Sequence, residues 1–358
     1  MKRIVLTGGG TAGHVTPNIA LLPALQAAGY EIAYVGSYEG IEKKLIADFN
    51  IPYTGISTGK FRRYLDPKNF SDPFRVMKGF VEARNYLKNY QPDVVFSKGG
   101  FVSVPVVRAA ASLHIPCIIH ESDMTPGLAN KLCIPVAEKV CCNFPETMKN
   151  IPADKAVLTG SPIRAELAEG SKLAGLNMCG FTANKPVIMV IGGSLGAANV
   201  NKAVRDALPK LLADFQVVHL CGKDKIDNLL LNTPGYKQFE YIKAELKDIF
   251  AMADIVISRA GANAICELLA LKKPNILIPL PAASSRGDQL LNAASFEAQG
   301  YSIVLNEDDI TTNLLVDKVH ELYFNRQNYV EAMSKSHQMD AVKTIMELIN
   351  AAADKKTN

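Results

Sequence analysis

The chain has 358 residues, 48% of them hydrophobic and 21% charged, and a formal net charge of +4. This length predicts two domains of a soluble globular protein, and the small charge excess does not by itself indicate nucleic-acid binding. The seven cysteines include no Cys-x-x-Cys pair and predict reduced, mostly buried thiols in a cytosolic protein, and no uncharged apolar run is long enough to predict a transmembrane helix.

The chain begins with a short apolar strand, Ile4–Leu6, that leads into a glycine-rich loop. Gly8, Gly10 and Gly13 match the dinucleotide fingerprint, in which bare backbone approaches a diphosphate at a helix N-terminus. A nicotinamide cofactor would need an acid at the end of the second strand, but Ile32–Val35 runs into glycine and serine. The pattern favours a diphosphate over a dinucleotide, and a tight turn that binds nothing remains an alternative.

The stretch from Lys60 to Tyr90 contains eight Lys or Arg residues and three Asp or Glu residues. Cations beside exposed aromatic side chains suit the headgroup region of an anionic membrane leaflet. A groove for single-stranded nucleic acid has the same composition, and an amphipathic helix with core-facing aromatic side chains is the simpler alternative. The apolar residues in question are Phe61, Tyr64, Phe70, Phe74, Met77, Phe80, Val81, Tyr86 and Tyr90.

Two segments of the first half carry candidate catalytic side chains. His14 lies on the first glycine loop and can accept a proton near neutral pH, although it could instead only hydrogen-bond the loop. His120 and Glu121 follow the strand Cys117–Ile119. His120 is expected to be a core residue that closes this strand, and Glu121 is a weak catalytic candidate.

The domain boundary is expected near Gly160–Pro162, where the strand Ala156–Leu158 ends in turn residues. The stretch Gly170–Lys185 contains three glycines and little apolar periodicity, so we expect a loop there. The last helix is expected at roughly 340–353.

A second glycine loop, Gly192–Ala197, follows the strand Val187–Ile191 and offers Ser194 and backbone N–H groups to another phosphate. It lacks the Gly-Lys-Ser/Thr of a Walker A loop, which argues against kinases and NTPases. Further on, Ser258–Glu267 again passes from strand to helix N-terminus, where Glu267 could accept both hydroxyls of a ribose. An ordinary first-turn glutamate is the alternative.

The two halves of the chain are similar to each other. Asp93–Gly100 resembles Asp254–Gly261, and each half begins with a strand that runs into glycines. This repetition predicts two doubly wound domains in tandem.

No Asp-x-Asp pair, with which many transferases hold a metal-bound diphosphate, occurs in the chain. The acidic run Glu307–Asp309 is typical of a helix cap. We therefore expect no metal and no other cofactor.

Taken together, these segments resemble the MurG family of N-acetylglucosaminyl transferases over essentially the whole chain. The segments that carry the resemblance are Gly8–Pro17, Ser97–Ser103, His120–Lys131, Gly192–Ala197, Ser258–Glu267 and Asp288–Ala293. The resemblance implies a GT-B fold, an α/β architecture of two Rossmann-like doubly wound parallel-sheet domains that face a cleft. The domains would span residues 1–161 and 162–340, with a C-terminal helix from about 341 that packs back on the first.

The family's activity implies inverting transfer of N-acetylglucosamine from UDP-N-acetylglucosamine to the 4-hydroxyl of the muramoyl sugar of lipid I. The products would be lipid II and UDP, in peptidoglycan synthesis. The acceptor is a polyprenyl-diphosphate-linked muramoyl-peptide. The first domain would rest on anionic lipids at the cytoplasmic face of the bacterial cell membrane, as a peripheral protein without nucleic-acid partners.

The resemblance also implies roles for individual residues. His14 is the candidate general base, and Asp123 stands where some family members have an Asn that contacts the donor sugar. The residues expected to hold UDP-N-acetylglucosamine are Thr11, Ala12, Gly13, Asp123, Arg164, Ser194, Ile242, Ala262, Asn263, Ala264, Ile265, Cys266, Glu267 and Gln289. Those expected to hold the acceptor diphosphate are Gly9, Gly10, Gly13, His14, Gly99 and Gly100.

Three other functions fit the same pattern less closely. One is another UDP-sugar transferase of this fold, such as a diacylglycerol glucosyltransferase. A UDP-N-acetylglucosamine 2-epimerase would not require a lipid-facing patch. A nucleotide-sugar sensor would bind the donor without turnover.

Overall fold

The computed structural model describes residues 1–59, 68–193, 196–282, 287–336 and 340–357, with only the backbone of 68–73 and 356–357. The chain divides into two compact units. The N-terminal unit comprises Met1–Arg164 and Asp340–Asn358, and the C-terminal unit comprises Ala165–Met339. The sequence analysis expected the first segment to end at residue 161.

The N-terminal unit is built on a parallel sheet whose described strands have the order β3-β2-β1-β4-β5-β6-β7. Both faces of the sheet are buried: Val5 of the first strand belongs to one core cluster, and Ile4 and Leu6 belong to another. Burial on both faces explains why short, continuous apolar runs form these strands. The strands are β1 (Arg3–Thr7), β2 (Glu31–Ser37), β3 (Tyr53–Ile56), β4 (Val94–Ser97), β5 (Cys117–Glu121), β6 (Lys139–Cys142) and β7 (Ala156–Leu158).

The described helices of the N-terminal unit cover the two faces of this sheet. They are α1 (Thr16–Ala27), α2 (Ile41–Ile46), α3 (Lys68–Tyr90), α4 (Ser103–Ser112), α5 (Leu128–Cys133), α6 (Pro145–Met148) and, at the end of the chain, α14 (Ala341–Thr357).

The C-terminal unit has a second parallel sheet, with the order β10-β9-β8-β11-β12-β13. Its strands are β8 (Val187–Ile191), β9 (Gln216–Leu220), β10 (Tyr236–Phe239), β11 (Ile255–Ser258), β12 (Asn275–Leu277) and β13 (Ser302–Val304). Its described helices are α7 (Lys172–Cys179), α8 (Ala198–Asp214), α9 (Leu246–Met252), α10 (Ala262–Ala270), α11 (Asp288–Ala298), α12 (Thr312–Phe324) and α13 (Arg326–Ser334). Two doubly wound parallel sheets confirm the predicted fold class.

The internal repeat extends to individual hydrogen bonds. The Asp93 carboxylate accepts the backbone N–H of Arg3 at 2.7 Å, and the Asp254 carboxylate accepts that of Val187 at 2.8 Å. Each aspartate precedes the strand that lies beside the first strand of its own sheet. The two halves therefore repeat both their topology and the way in which the central strand begins.

The loop expected over Gly170–Lys185 was wrong in part, because α7 lies within it. Ser171 caps this helix by accepting the N–H of Ala174 at 3.3 Å, and Gly180 ends it in a left-handed conformation. The glycines that suggested a loop mark the ends of a short helix.

The C-terminal helix α14 packs within the N-terminal unit. Ile345, Ile349 and Ala353 are buried in the core cluster that contains Ile4. The Tyr30 hydroxyl donates to the Asn350 side-chain carbonyl at 2.8 Å. The last helix thus completes a core begun by the first strand.

Candidate active site

The carboxyl ends of β1, β4 and β5 lie side by side, because these three strands are adjacent and parallel. The connections Gly8–Gly10, Gly99–Gly100 and the stretch after Glu121 therefore start at one edge of the sheet. Ligands of doubly wound sheets bind at this edge, where the strand order reverses. In the N-terminal unit that point lies between β1 and β4.

The first glycine loop, Gly8–Gly10, is held from its inner side by two side chains. The Tyr34 hydroxyl donates to the Gly8 carbonyl at 2.7 Å. The Gly10 N–H donates to the carboxylate of Glu42 at 3.1 Å, and Glu42 is fully buried. The loop is therefore fixed by the protein itself.

The first glycine loop also packs against the loop that follows β4. The Gly9 N–H donates to the Gly99 carbonyl at 3.3 Å, and the Gly99 N–H faces the Ser97 hydroxyl at 3.2 Å. A Cβ atom at Gly100 would overlap the Gly9 carbonyl oxygen. Three of the N–H groups expected to meet an acceptor diphosphate, those of Gly9, Gly10 and Gly99, thus donate within the protein.

His14 ends a short 3-10 turn, Ala12–His14, that follows the loop. Its Nδ1 atom lies 3.0 Å from the Thr11 hydroxyl, and its side chain is half-buried. Burial and the nearby Lys98 ammonium lower the pKa of His14 to about 4, whereas the loop backbone and the Glu42 carboxylate act in the opposite direction. His14 is therefore neutral near pH 7, the state in which an imidazole can take a proton.

Lys98 and His120 form a buried pair behind the loops. Lys98 donates to His120 Nδ1 at 2.9 Å and to the Ser122 hydroxyl. Because an ammonium can only donate, the proton of the neutral imidazole is on Nε2, which meets the Gly160 carbonyl at 2.9 Å. Burial, with Lys98 beside it, holds the pKa of His120 well below its usual range. The prediction of a core histidine that closes its strand is confirmed.

Both carboxylate oxygens of Glu121 serve the loop after β5. They accept the backbone N–H groups of Asp123 at 2.9 Å and Gly127 at 3.0 Å, and the amide of Asn130 at 2.8 Å. Three such donors explain Glu121 as the residue that shapes this loop.

In the C-terminal unit, the second glycine loop joins β8 to α8. A Cβ atom at Gly192 would lie 2.8 Å from the Ala197 nitrogen, and Gly193 has a φ of +85° that favours glycine. These glycines are required by the turn itself. Ser194, expected to hold the donor, lies outside the described residues.

The other expected donor residues of this unit lie mainly at the start of α10, which directly follows β11 and Gly261. The side chains of Ala262, Asn263, Ala264 and Glu267 are partly exposed there, whereas those of Ile265 and Cys266 are buried. Ile242, after β10, is also buried. Ile265, Cys266 and Ile242 could therefore meet a ligand only through their backbone.

Gln289 and Arg164 complete the set of expected donor residues. The side-chain carbonyl of Gln289, on α11, accepts the N–H of Leu280 at 3.1 Å. This bond ties the helix to the turn after β12. Arg164 is half-buried at the end of the first segment of the N-terminal unit.

Within the described ranges, no group of three or more His, Cys, Asp or Glu side chains could hold a metal ion. The acidic run Glu307–Asp309 was wrongly expected to cap the following helix. It forms a 3-10 turn in which Glu307 pairs with Arg259, while Thr311 caps α12 by accepting the N–H of Leu314 at 3.2 Å. The acid run is thus part of an ion pair.

Helix α3 carries the described part of the basic aromatic segment. The predicted alternative of an amphipathic helix with core-facing aromatic side chains is correct for Phe80, Tyr86 and Tyr90, which pack against the core cluster under the helix. Phe74, Met77 and Val81 instead face outwards and are 79%, 64% and 50% exposed. We call these three residues, which follow helical spacing, the apolar stripe. Phe61 and Tyr64 lie outside the described residues, as does the side chain of Phe70.

An apolar cavity of about 400 Å³ lies beside the apolar stripe. Helices α3, α4 and α5 supply most of its walls, and Phe101, which follows the glycines after β4, contributes one side. Its lining residues are Gly59, Val76, Met77, Phe80, Phe101, Val104, Pro105, Arg108, Leu128 and Leu132. Among the described residues, no helix is long and apolar enough to cross a membrane.

Sequence reasoning missed two residues of this site, Glu42 and Lys98. Glu42 follows the second strand, where an acid was sought for a ribose, but it lies on the next helix rather than at the end of the strand. Lys98 stands beside Gly99 and Gly100 and could have been noticed as a cation next to glycines. All seven cysteines are free and buried.

Two doubly wound units, each with a glycine loop after its central strand, define the two-domain GT-B architecture of glycosyltransferases. The model of the glycosyltransferase family 28 N-terminal domain matches residues 4–142, and that of the family 28 C-terminal domain matches residues 187–349. The chain therefore belongs to glycosyltransferase family 28.

Several relatives match nearly the whole chain and bear the name UDP-N-acetylglucosamine--N-acetylmuramyl-(pentapeptide) pyrophosphoryl-undecaprenol N-acetylglucosamine transferase. The protein from Lachnospira eligens is 65% identical, over 98% of this chain and 99% of its own length. That from Clostridium botulinum strain Hall is 58% identical over the same shares.

Two solved structures extend the comparison to the fold. The crystal structure of Acinetobacter baumannii MurG is 28% identical, with a TM-score of 0.78 over 98% of this chain and 100% of that chain. A UDP-GlcNAc 2-epimerase from Neisseria meningitidis is 14% identical, with a TM-score of 0.67 over 97% of this chain and 99% of that chain. The second likeness concerns the fold alone.

Proposed function

We propose that the protein transfers N-acetylglucosamine from UDP-N-acetylglucosamine to the 4-hydroxyl of the muramoyl sugar of lipid I, giving lipid II and UDP. The substrates are supported by the name of relatives that are 65% identical over 98% of the chain. The chemistry is supported by one observation above all. His14 lies four residues after Gly10, at the edge where doubly wound sheets bind ligands, and its lowered pKa keeps it neutral at pH 7.

The reaction proceeds in one inverting step. The acceptor oxygen forms its bond to the anomeric carbon while the bond from that carbon to the β-phosphate oxygen of UDP breaks. The electron pair of the broken bond leaves with UDP, and neutral His14 takes the proton of the acceptor hydroxyl. Thr11, whose hydroxyl lies 3.0 Å from Nδ1, orients the imidazole.

The C-terminal unit supplies most of the donor site. Glu267, partly exposed on α10, accepts the ribose hydroxyls, and the start of that helix faces phosphate. Ser194, Ile242 and Gln289 complete the nucleotide contacts of this unit.

The acceptor diphosphate binds on the outer side of the first glycine loop. The N–H groups of Gly9, Gly10 and Gly99 already donate within the protein, so those glycines shape the surface. A Cβ atom at Gly10 would meet nothing within 4 Å, which leaves this side open to a ligand. His14 and Gly100 contact the diphosphate from this side.

The acceptor is embedded in a membrane, and the protein binds it there as a peripheral protein of the cytoplasmic face. The apolar stripe enters the lipid interface, and the exposed cations Arg75, Lys78 and Arg84 of the same helix attract anionic lipids. The neighbouring apolar cavity extends this surface. Phe80, Tyr86 and Tyr90 of this helix face the core and are not available to stack with bases, which supports a lipid surface over a nucleic-acid groove.

Departure of UDP without a metal is part of the proposal. The chain has no Asp-x-Asp pair, and helix N-termini and cations can neutralise a diphosphate in its place. EDTA is therefore expected to leave transfer unchanged.

The test is transfer of labelled N-acetylglucosamine to a short-chain lipid I analogue, with EDTA present, for the wild type and His14→Ala. We expect transfer by the wild type and a loss of about 10²- to 10⁴-fold in the variant, with donor binding kept. Transfer to diacylglycerol instead, or donor binding without turnover, would overturn the proposed function. Activity that returns only with added Mg²⁺ or Mn²⁺ would overturn metal independence alone.

A further inference from the structure

Glu42 is a buried carboxylate directly beneath the first glycine loop. It lies on α2, after the second strand, and is 0% exposed. One of its oxygens accepts the Gly10 N–H at 3.1 Å. The other accepts the Ser37 N–H at 3.0 Å and the Ser37 hydroxyl. A single side chain thus joins the loops after β1 and β2.

The glycines around this carboxylate are explained by it. A Cβ atom at Gly9 would lie 2.5 Å from the Glu42 carboxyl carbon, and one at Gly40 would overlap the same carboxylate. At Gly10, by contrast, a Cβ atom would meet nothing within 4 Å. Gly10 of the fingerprint therefore faces open space, whereas position 9 has no room for a side chain because the Glu42 carboxylate occupies that space.

The hydrogen bond to Glu42 also fixes the direction in which the backbone N–H group of Gly10 points. It turns the Gly10 N–H inwards, so the ligand-facing side begins with the exposed Thr11 and Ala12. His14 follows within the same short turn, and its carbonyl oxygen lies 2.5 Å from the place of a Gly8 Cβ atom. The imidazole of His14 thus lies four residues along the chain from the N–H group that Glu42 holds.

We propose that Glu42 is a positioning residue of the transfer reaction, whose buried carboxylate fixes the first glycine loop and with it Thr11 and His14 towards the acceptor. This inference rests on the proposed function. Glu42 touches neither substrate; it acts through the loop that does.

Besides Glu42 itself, the charged and titratable groups that face Glu42 and His14 come from three places in the fold, namely β2, β3 and the loop after β4. Lys98, after β4, opposes protonation of His14, and Glu42, on α2, favours it. Tyr34 and Tyr53, on β2 and β3, also face Glu42, and both have raised pKa values, mainly through burial. Removing the Glu42 charge is therefore expected to lower the pKa of His14 further.

The experiment compares Glu42→Gln with Glu39→Gln, which removes the same charge from an exposed position between β2 and α2. Glutamine keeps the volume of Glu42 but brings an NH₂ group against an N–H donor. We expect kcat/KM for the lipid I analogue to fall about 10- to 100-fold in Glu42→Gln, because small misplacements of reacting groups have effects of this size. KM for UDP-N-acetylglucosamine should change less than KM for the acceptor, because most of the proposed donor contacts lie in the C-terminal unit, and Glu39→Gln should match the wild type.

A second readout does not depend on turnover. The imidazole signals of His14, followed by NMR between pH 3 and pH 7, should titrate at a lower pH in Glu42→Gln than in the wild type. If Glu42→Gln kept the wild-type kcat/KM for the acceptor and the wild-type pKa of His14, the inference would be overturned. It would also be overturned if kcat/KM fell equally for donor and acceptor, in proportion to the loss of folded protein. If the wild type transfers nothing, the proposed function fails, and the His14 titration in the two variants still decides the role of Glu42.

Discussion

The protonation of His14 depends on two charged side chains that approach the first glycine loop from different elements. Burial disfavours the imidazolium most, Lys98 disfavours it further, and Glu42 favours it, so that the pKa of His14 falls from 6.5 to about 4. Between these two pH values the unfolded chain binds more protons at His14 than the folded one. The stability contributed by neutral His14 is therefore complete above pH 6.5 and is lost as the pH falls towards 4.

Replacing Lys98 by methionine should raise the pKa of His14. The change keeps the length of the side chain and removes its charge, so the pKa of His14 is expected to rise towards 6.5. We expect the acid limb of kcat/KM to lie near pH 4 in the wild type and to move up with the pKa of His14 in the variant. Lys149→Met, at an exposed position, serves as the control. A wild-type acid limb near pH 6.5 would show that a different group limits the reaction.

Gly9→Ala should disturb the same loop by overlap rather than by charge. The new methyl group would lie 2.5 Å from the Glu42 carboxyl carbon, and overpacking of this kind costs about 1–3 kcal/mol of stability. Gly127→Ala is the matched control, because its Cβ atom meets nothing within 4 Å. Thermal unfolding and KM for the acceptor measure both effects. Equal unfolding temperatures for the two variants would contradict the close packing of Gly9 on Glu42.

At the scale of elements, periodicity predicted the central strands better than the edges. The runs Ile4–Leu6 and Ile255–Ile257 lie within β1 and β11, because strands buried on both faces need continuous apolar residues. The edge strands β3 and β10 are only partly buried and have weaker patterns. The glycine loops were found from their residues, but Glu42 was not, since its partner Gly10 lies 32 residues away.

Helix α3 illustrates why composition alone could not separate a membrane surface from a core. Its sequence interleaves cations and aromatic residues throughout, and only packing decides which of them face outwards. Glu82 anchors the helix by accepting the Ser57 N–H at 2.6 Å, and a Cβ atom at Gly79 would overlap the Ser57 carbonyl oxygen. This close contact turns the apolar stripe away from the sheet.

Replacing Phe74 and Met77 of the apolar stripe by serine should weaken binding to vesicles of anionic lipid. These side chains are 79% and 64% exposed, and burying a large apolar side chain is worth roughly 1.5–3 kcal/mol, so we expect at least a tenfold loss. Transfer to a water-soluble acceptor analogue should persist. The control is Leu173→Ser, which removes a 67% exposed leucine from α7. Unchanged sedimentation of the double variant with vesicles would exclude the stripe as the lipid contact.

At the scale of the whole molecule, the N-terminal unit is formed by two segments that are far apart in the sequence. The N-terminal unit needs both ends of the sequence, because α14 supplies part of the core around β1. Lys2 and Asp354 also pair at 2.6 Å, close to the two chain ends. The C-terminal unit is one continuous segment with its own core cluster.

When the two units are expressed separately, only the C-terminal unit should fold as a single continuous segment. A fragment of residues 165–339 is expected to unfold cooperatively, since its sheet and core are complete. A fragment of residues 1–164 lacks the buried side chains of Ile345, Ile349 and Ala353. The free energy lost with several buried side chains exceeds the few kcal/mol by which a domain is stable. This fragment should therefore bind a dye for exposed apolar surface, and a peptide of residues 340–358 should restore cooperative unfolding. A scrambled peptide of the same composition controls for nonspecific binding, and stable folding of residues 1–164 alone would show that α14 is dispensable for the core.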